Sequence, residues 1–98
     1  MYKLFLIFLC LSVHFSYAKS IVTANQDLWP PFVEEGIPQG ISVDIVKESL
    51  ATQGYELEFK ITPWSRALSQ VKNGTVDILV ATWVTQERKK YLIYSDSY

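Results

Sequence analysis

Stretches with helical spacing alternate with strand-like runs along most of this chain, and that alternation limits its fold more than any other feature. Ser20 to Ala24 is a short β-branched run and predicts a strand. Asn25 to Gly40 carries Pro30, Pro31, Gly36, Pro38 and Gly40 and reads as a loop. Ser42 predicts an N-cap with Asp44 in the first turn, and Val43, Ile45, Val46 and Leu50 follow at helical spacing as far as Gln53. Gly54 then fits the end of that helix. From Tyr55 to Ile61 apolar and charged residues alternate strictly, as on a half-buried strand near a sheet edge. Thr62 and Pro63 predict the cap and first residue of a second helix, with Trp64, Leu68 and Val71 on one face and Gly74 closing it. Val76 to Ala81 is almost wholly apolar and predicts a central parallel strand. Thr85 to Lys90 is polar and predicts a short helical turn, and Tyr91 to Tyr94 a last short strand. The order β-α-β-α-β predicts an α/β layer with a parallel-type sheet.

Hydrophobic residues make up 49% of the 98, and the excess is concentrated at the start, where residues 1–18 hold 14 of them. Lys3 gives a positive start, Leu4 to Phe15 an apolar core, and Ser16-Tyr17-Ala18 small residues at the −3 and −1 positions of a cleavage site. The core is shorter than the ~20 residues a bilayer span requires. The pattern is that of a secretory signal peptide over residues 1–18, leaving Lys19 as the new N-terminus and residues 19–98 as one mature piece. Cys10 and His14 leave with the leader. The mature piece then has no thiol and no imidazole, which excludes disulfides, the usual zinc sites and His-dependent acid–base chemistry. The expected location is periplasmic. A formal net charge of −1 offers nothing to a nucleic-acid backbone.

In open α/β sheets ligands sit beyond the carboxyl ends of the strands, so the residues following each strand carry the most functional weight. Asp27, Trp29 and Phe32 follow the first strand, Trp64 and Arg66 the second, and Thr82, Trp83 and Arg88 the third. All three Trp residues and both Arg residues of the chain fall in these segments. Arg forks pair with carboxylates through two parallel hydrogen bonds, and aromatic faces flank an apolar or cationic body. The same residues read structurally as core packing, as pins for a Pro-stiffened loop, or as a solvated helix face at Arg66. Nucleophile elbows, phosphate loops and metalloprotease motifs are missing, so the expected activity is binding without catalysis, cofactor or metal.

Six short motifs occur in a telling order. They are PPF at Pro30 to Phe32, GISVDIVKES from Gly40, the W-x-RAL stretch from Trp64 to Leu68, NGTVDILVA from Asn73, TQERKK from Thr85 and YSDSY from Tyr94. In this the chain resembles the bacterial solute-binding proteins of family 3, the polar amino-acid group serving ABC importers, across essentially the whole mature piece. The resemblance implies the first of two α/β lobes that close over a ligand. It also implies that Arg88 holds the ligand's α-carboxylate, that Phe32 or Trp29 stacks on its side chain, and that Gly74 to Asp77 is structural. The expected ligand is an amino acid or related small carboxylate, and the expected partners are the membrane subunits of an ABC importer. Ala81-Thr82-Trp83 stands where that family carries smaller residues, which implies another pocket shape. The second lobe and the strands completing the first are expected to be missing, making residues 19–98 a partial lobe. Other readings on the same fold are the sensor domain of a signalling protein, an enzyme such as a cyclohexadienyl dehydratase or a lytic transglycosylase module, and a non-functional remnant.

Overall fold

The computed structural model of the protein describes residues 20–98. Along them run β1 (Ser20–Gln26), α1 (Ile41–Ala51), β2 (Tyr55–Ile61), α2 (Trp64–Lys72) and β3 (Ile78–Leu79), then a 3-10 turn at Arg88–Lys90. The strands form one parallel sheet in the order β2-β1-β3. The expected α/β class and parallel sheet are therefore what the chain adopts. The expected leader over residues 1–18, with Cys10 and His14, lies outside the described residues.

The alternation of β2 holds from Glu56 onward, with Leu57, Phe59 and Ile61 half-buried and Glu56, Glu58 and Lys60 exposed, but Tyr55, expected on the inner face, is exposed at the strand's open start. The side chains turned inward meet a core of Ala24, Val33, Val43 and Val80. Fully burying a valine stabilises by roughly 1.5–3 kcal/mol. Val33, which belongs to the loop after β1, is thus as strong an anchor as Val43 of α1. The loop is also closed on itself, with Trp29 and Val33 bridging through Trp29 N–H to Val33 O at 2.9 Å and Val33 N–H to Trp29 O at 2.9 Å.

Several local expectations are corrected by longer-range contacts. Ser42 does not cap α1. The helix starts two residues earlier, after Gly40, because loop carbonyls satisfy its first donors: Ile41 N–H donates to Pro31 O (3.1 Å) and Ser42 N–H to Phe32 O (3.0 Å). Gly40 sits at φ +109°, and a Cβ there would lie 2.7 Å from Phe32 C and 2.9 Å from Val33 Cα, so only glycine lets loop and helix approach this closely. Ile45, expected on the inner face of α1, is exposed. Thr62 does not cap α2 either. Its N–H continues the β1–β2 ladder to Gln26 O (3.0 Å), its hydroxyl turns back to Lys60 O, and Pro63 becomes the cap position.

The third strand departs most. Instead of a central strand over Val76 to Ala81, β3 is a two-residue strand on an edge, and β1 is central. The cause is Asp77. Its Oδ2 accepts both the N–H (2.9 Å) and the hydroxyl (3.0 Å) of Thr23, so a side chain takes the place of a ladder carbonyl there. Tyr91 to Tyr94 forms no strand, and its segment is irregular. The polar turn expected over Thr85 to Lys90 is present as the 3-10 turn, with Arg88 N–H donating to the Thr85 hydroxyl (3.1 Å).

Candidate functional site

β1 and β2 run in parallel register from Ser20 opposite Tyr55 to Gln26 opposite Ile61, so both strands end at the same level. The residue after β1 therefore stands beside the start of the helix after β2. That residue is Asp27. Its Oδ2 accepts the backbone N–H of Trp64 at 3.0 Å, and its Oδ1 accepts the N–H of Leu28 at 2.8 Å. An anionic acceptor on the first N–H of a helix satisfies an otherwise orphaned donor and complements the helix dipole. The cap expected from Thr62 is thus supplied from 37 residues away.

The third wall comes from the chain after β3. Arg88 folds back over this segment, and its Nη1 donates to the Thr82 hydroxyl (3.2 Å) and to Trp83 O (3.0 Å). Its guanidinium carbon lies 5.1 Å from the centre of the Trp64 ring, within cation–π range. The Tyr94 hydroxyl donates to the same Trp83 carbonyl at 3.2 Å, so two donors steady that residue. Trp83 is 72% exposed and stands 6.0 Å from Trp29.

These walls enclose an open cleft of about 350 Å³. Asp27, Trp29, Trp64, Thr82, Trp83 and Arg88 line it, as do Gln26, Leu28 and Ala81. Six of the eight residues expected from the sequence thus meet in one place. Phe32 does not line the cleft; it backs Trp29 edge-on at 5.1 Å. Arg66 lies apart, exposed, beside a smaller hollow of about 100 Å³ with Lys60 and Gln70. The two Arg residues therefore do not converge: Arg88 is in the cleft and Arg66 is not.

Of the three lining residues that the sequence did not single out, Gln26, Leu28 and Ala81, Gln26 is the polar one that is buried. It is 3% exposed, it lines the cleft, and its Oε1 has no hydrogen-bond partner among the described residues. Its neighbour Asn25 also keeps an unpartnered Oδ1, although its Nδ2 donates to Gln70 Oε1 at 2.8 Å. The expected strand end at Ala24 left both residues in a loop. Ladder pairing carries β1 two residues further and buries them. Among the described residues no group of three or more His, Cys, Asp or Glu could hold a metal ion.

A parallel sheet whose strand ends open onto an aromatic, Arg-bearing cleft defines a small-molecule binding lobe. The sequence profile of the bacterial extracellular solute-binding proteins, family 3, matches residues 21–98, and the chain belongs to that family. No curated protein and no solved structure matches it.

Proposed function

We propose that this cleft binds a small polar solute through a carboxylate, an amino acid or a related acid, with Arg88 as the anchor. The observation that carries the reading is the state of the Arg88 guanidinium. Its Nη1 is committed to a hydroxyl and a carbonyl, neither of which neutralises its charge, and those bonds leave Nε and Nη2 for a two-point contact with a carboxylate. Trp29 and Trp83 flank the remainder of the ligand, Phe32 supports Trp29, and Thr82 adds a hydroxyl. Arg66 has no part in this reading, since it faces the separate hollow.

The protein acts, on this reading, as an exported, non-catalytic receptor that presents its ligand to an ABC importer. Residues 1–18 serve as its leader, and N-terminal sequencing of periplasmic material beginning at Lys19 supports that step. The binding test is calorimetric titration of the full-length protein with a panel of amino acids and small carboxylates. Truncating one partner of a desolvated charge pair costs ~2–5 kcal/mol, so Arg88→Ala weakens binding at least tenfold. Unchanged binding in that variant overturns the assignment.

A further inference from the structure

Arg88 reaches the cleft from an irregular segment: after β3 the only regular structure among the described residues is the 3-10 turn that carries it. A long side chain on such a segment has much rotamer freedom to lose, and a carboxylate anchor works only when its fork is already oriented. What orients it is visible from both sides. Thr82 and Trp83 hold Nη1, but they belong to the same segment as Arg88. On the other side the guanidinium rests on the Trp64 ring, and Trp64 is the first residue of α2. The backbone of that residue is tied to the loop after β1 by Asp27 Oδ2.

We infer that Asp27 is a positioning residue that acts on Arg88 through Trp64: its carboxylate holds the start of α2, and so holds the indole shelf on which the anchor lies. Both Asp27 oxygens already accept backbone N–H groups, which is the arrangement of a clamp between two segments. The parallel register makes the clamp possible, since it brings the ends of β1 and β2 level. The link therefore runs from the longest-paired part of the sheet to a side chain carried on the loosely structured segment after β3. The inference rests on the reading of Arg88 as the ligand anchor for its functional meaning, but its geometry is testable without a ligand.

The chain contains two Arg residues, Arg66 and Arg88, so the Nε–H region of a nitrogen–proton correlation spectrum of the labelled full-length protein holds two signals to assign. Arg88→Lys identifies its own. The expected wild-type result is a ring-current-shifted Arg88 signal and an Arg66 signal near the position of free arginine. Asp27→Ala moves the Arg88 signal toward the free position and leaves Arg66 in place. Asp27→Asn, which keeps an acceptor for the Trp64 N–H, restores the shifted position, a rescue that a general loss of stability does not produce. Trp64→Leu tests the shelf itself, and should Asp27→Ala fail to fold by circular dichroism, Asp27→Ser takes its place, since its shorter side chain leaves the Trp64 N–H without the carboxylate. An Arg88 signal unmoved in a folded Asp27→Ala, Asp27→Ser or Trp64→Leu protein overturns the inference, as does an Asn variant that behaves like Ala. Titrating L-glutamine and acetate into the wild type then separates the two readings. An Arg88 signal that depends on Asp27 but responds to neither carboxylate leaves the positioning link standing and counts against Arg88 as the anchor.

Discussion

The two edges of β1 are held by different means. Against β2 it pairs over seven residues, from Ser20 to Gln26, in an unbroken backbone ladder. Against β3 only Ala24 and Asn25 find strand partners among the described residues, and beyond them one backbone bond, Asp77 N–H to Thr23 O at 3.1 Å, is reinforced by the Asp77 carboxylate on Thr23. A ladder is cooperative and largely indifferent to sequence. A side-chain clasp depends on two residues and on the charge of one of them. The cleft draws one wall from each edge, with Trp64 beyond the ladder and Thr82, Trp83 and Arg88 beyond the clasp. The more yielding wall is thus the one that carries the proposed anchor.

Breaking the ladder side has the largest expected effect. Phe59 on β2 packs against the core while remaining half-buried, so Phe59→Ala costs about 2 kcal/mol, below the ~3–5 kcal/mol of a fully buried Phe. The loss is global: hydrogen exchange quickens together at amides of β1, β2 and β3. If only β2 amides respond, the ladder is not the backbone of the fold.

A smaller and local effect is expected at the clasp. The Thr23 backbone N–H and hydroxyl, in that order of effect, hold the Asp77 carboxyl below its ordinary value of 3.8. A carboxyl whose folded value is depressed favours the fold in its ionised form. Its contribution is complete above the ordinary value and is lost as pH falls through the lower folded one. Acidification through that window therefore releases the amides of Asp77 to Leu79 before those paired between β1 and β2, and Asp77→Ala produces the same selective loss at neutral pH. Simultaneous release of both edges on acidification contradicts the difference drawn between them.

The smallest effect separates folding from binding at the place where the edges meet. Gln26 ends β1 with a buried Oε1 that has no partner among the described residues. Replacing a polar group that finds no partner by an apolar one of similar shape is nearly neutral or stabilising. Gln26→Leu is therefore expected to leave the unfolding free energy unchanged or raise it by up to ~1 kcal/mol, while ligand affinity in calorimetry falls. A marked loss of stability instead means that Gln26 serves the fold alone.

The legibility of these features follows their range. β2 is readable from Glu56 to Ile61 because alternation is a property of neighbours, with only Tyr55 at its start exposed against expectation, and its position at an edge follows from its charged face. The two helices were readable because their apolar spacing and closing glycines are local, with Gly54 and Gly74 both adopting φ +80°. The caps were misread for the same reason in reverse. Ser42 and Thr62 are good caps by composition, but loop carbonyls and Asp27 reach those helix starts first, and nothing near either helix in the chain announces it. β3 starts later than expected because a mostly apolar run does not reveal that the aspartate within it will take the Thr23 N–H on its side chain.

By itself the sequence determined the class of fold, the order of its elements and the family, and it drew most of the cleft residues into three short segments. These rest on periodicity and residue type, which act over a few positions. The tertiary structure decided which of those residues share a cleft, that Arg66 stands outside it and Phe32 behind it, and that Gln26 belongs within it. Those outcomes depend on where parallel strands end relative to one another. Register is settled by burial across the whole sheet, so residues far apart in the chain meet only once it has formed.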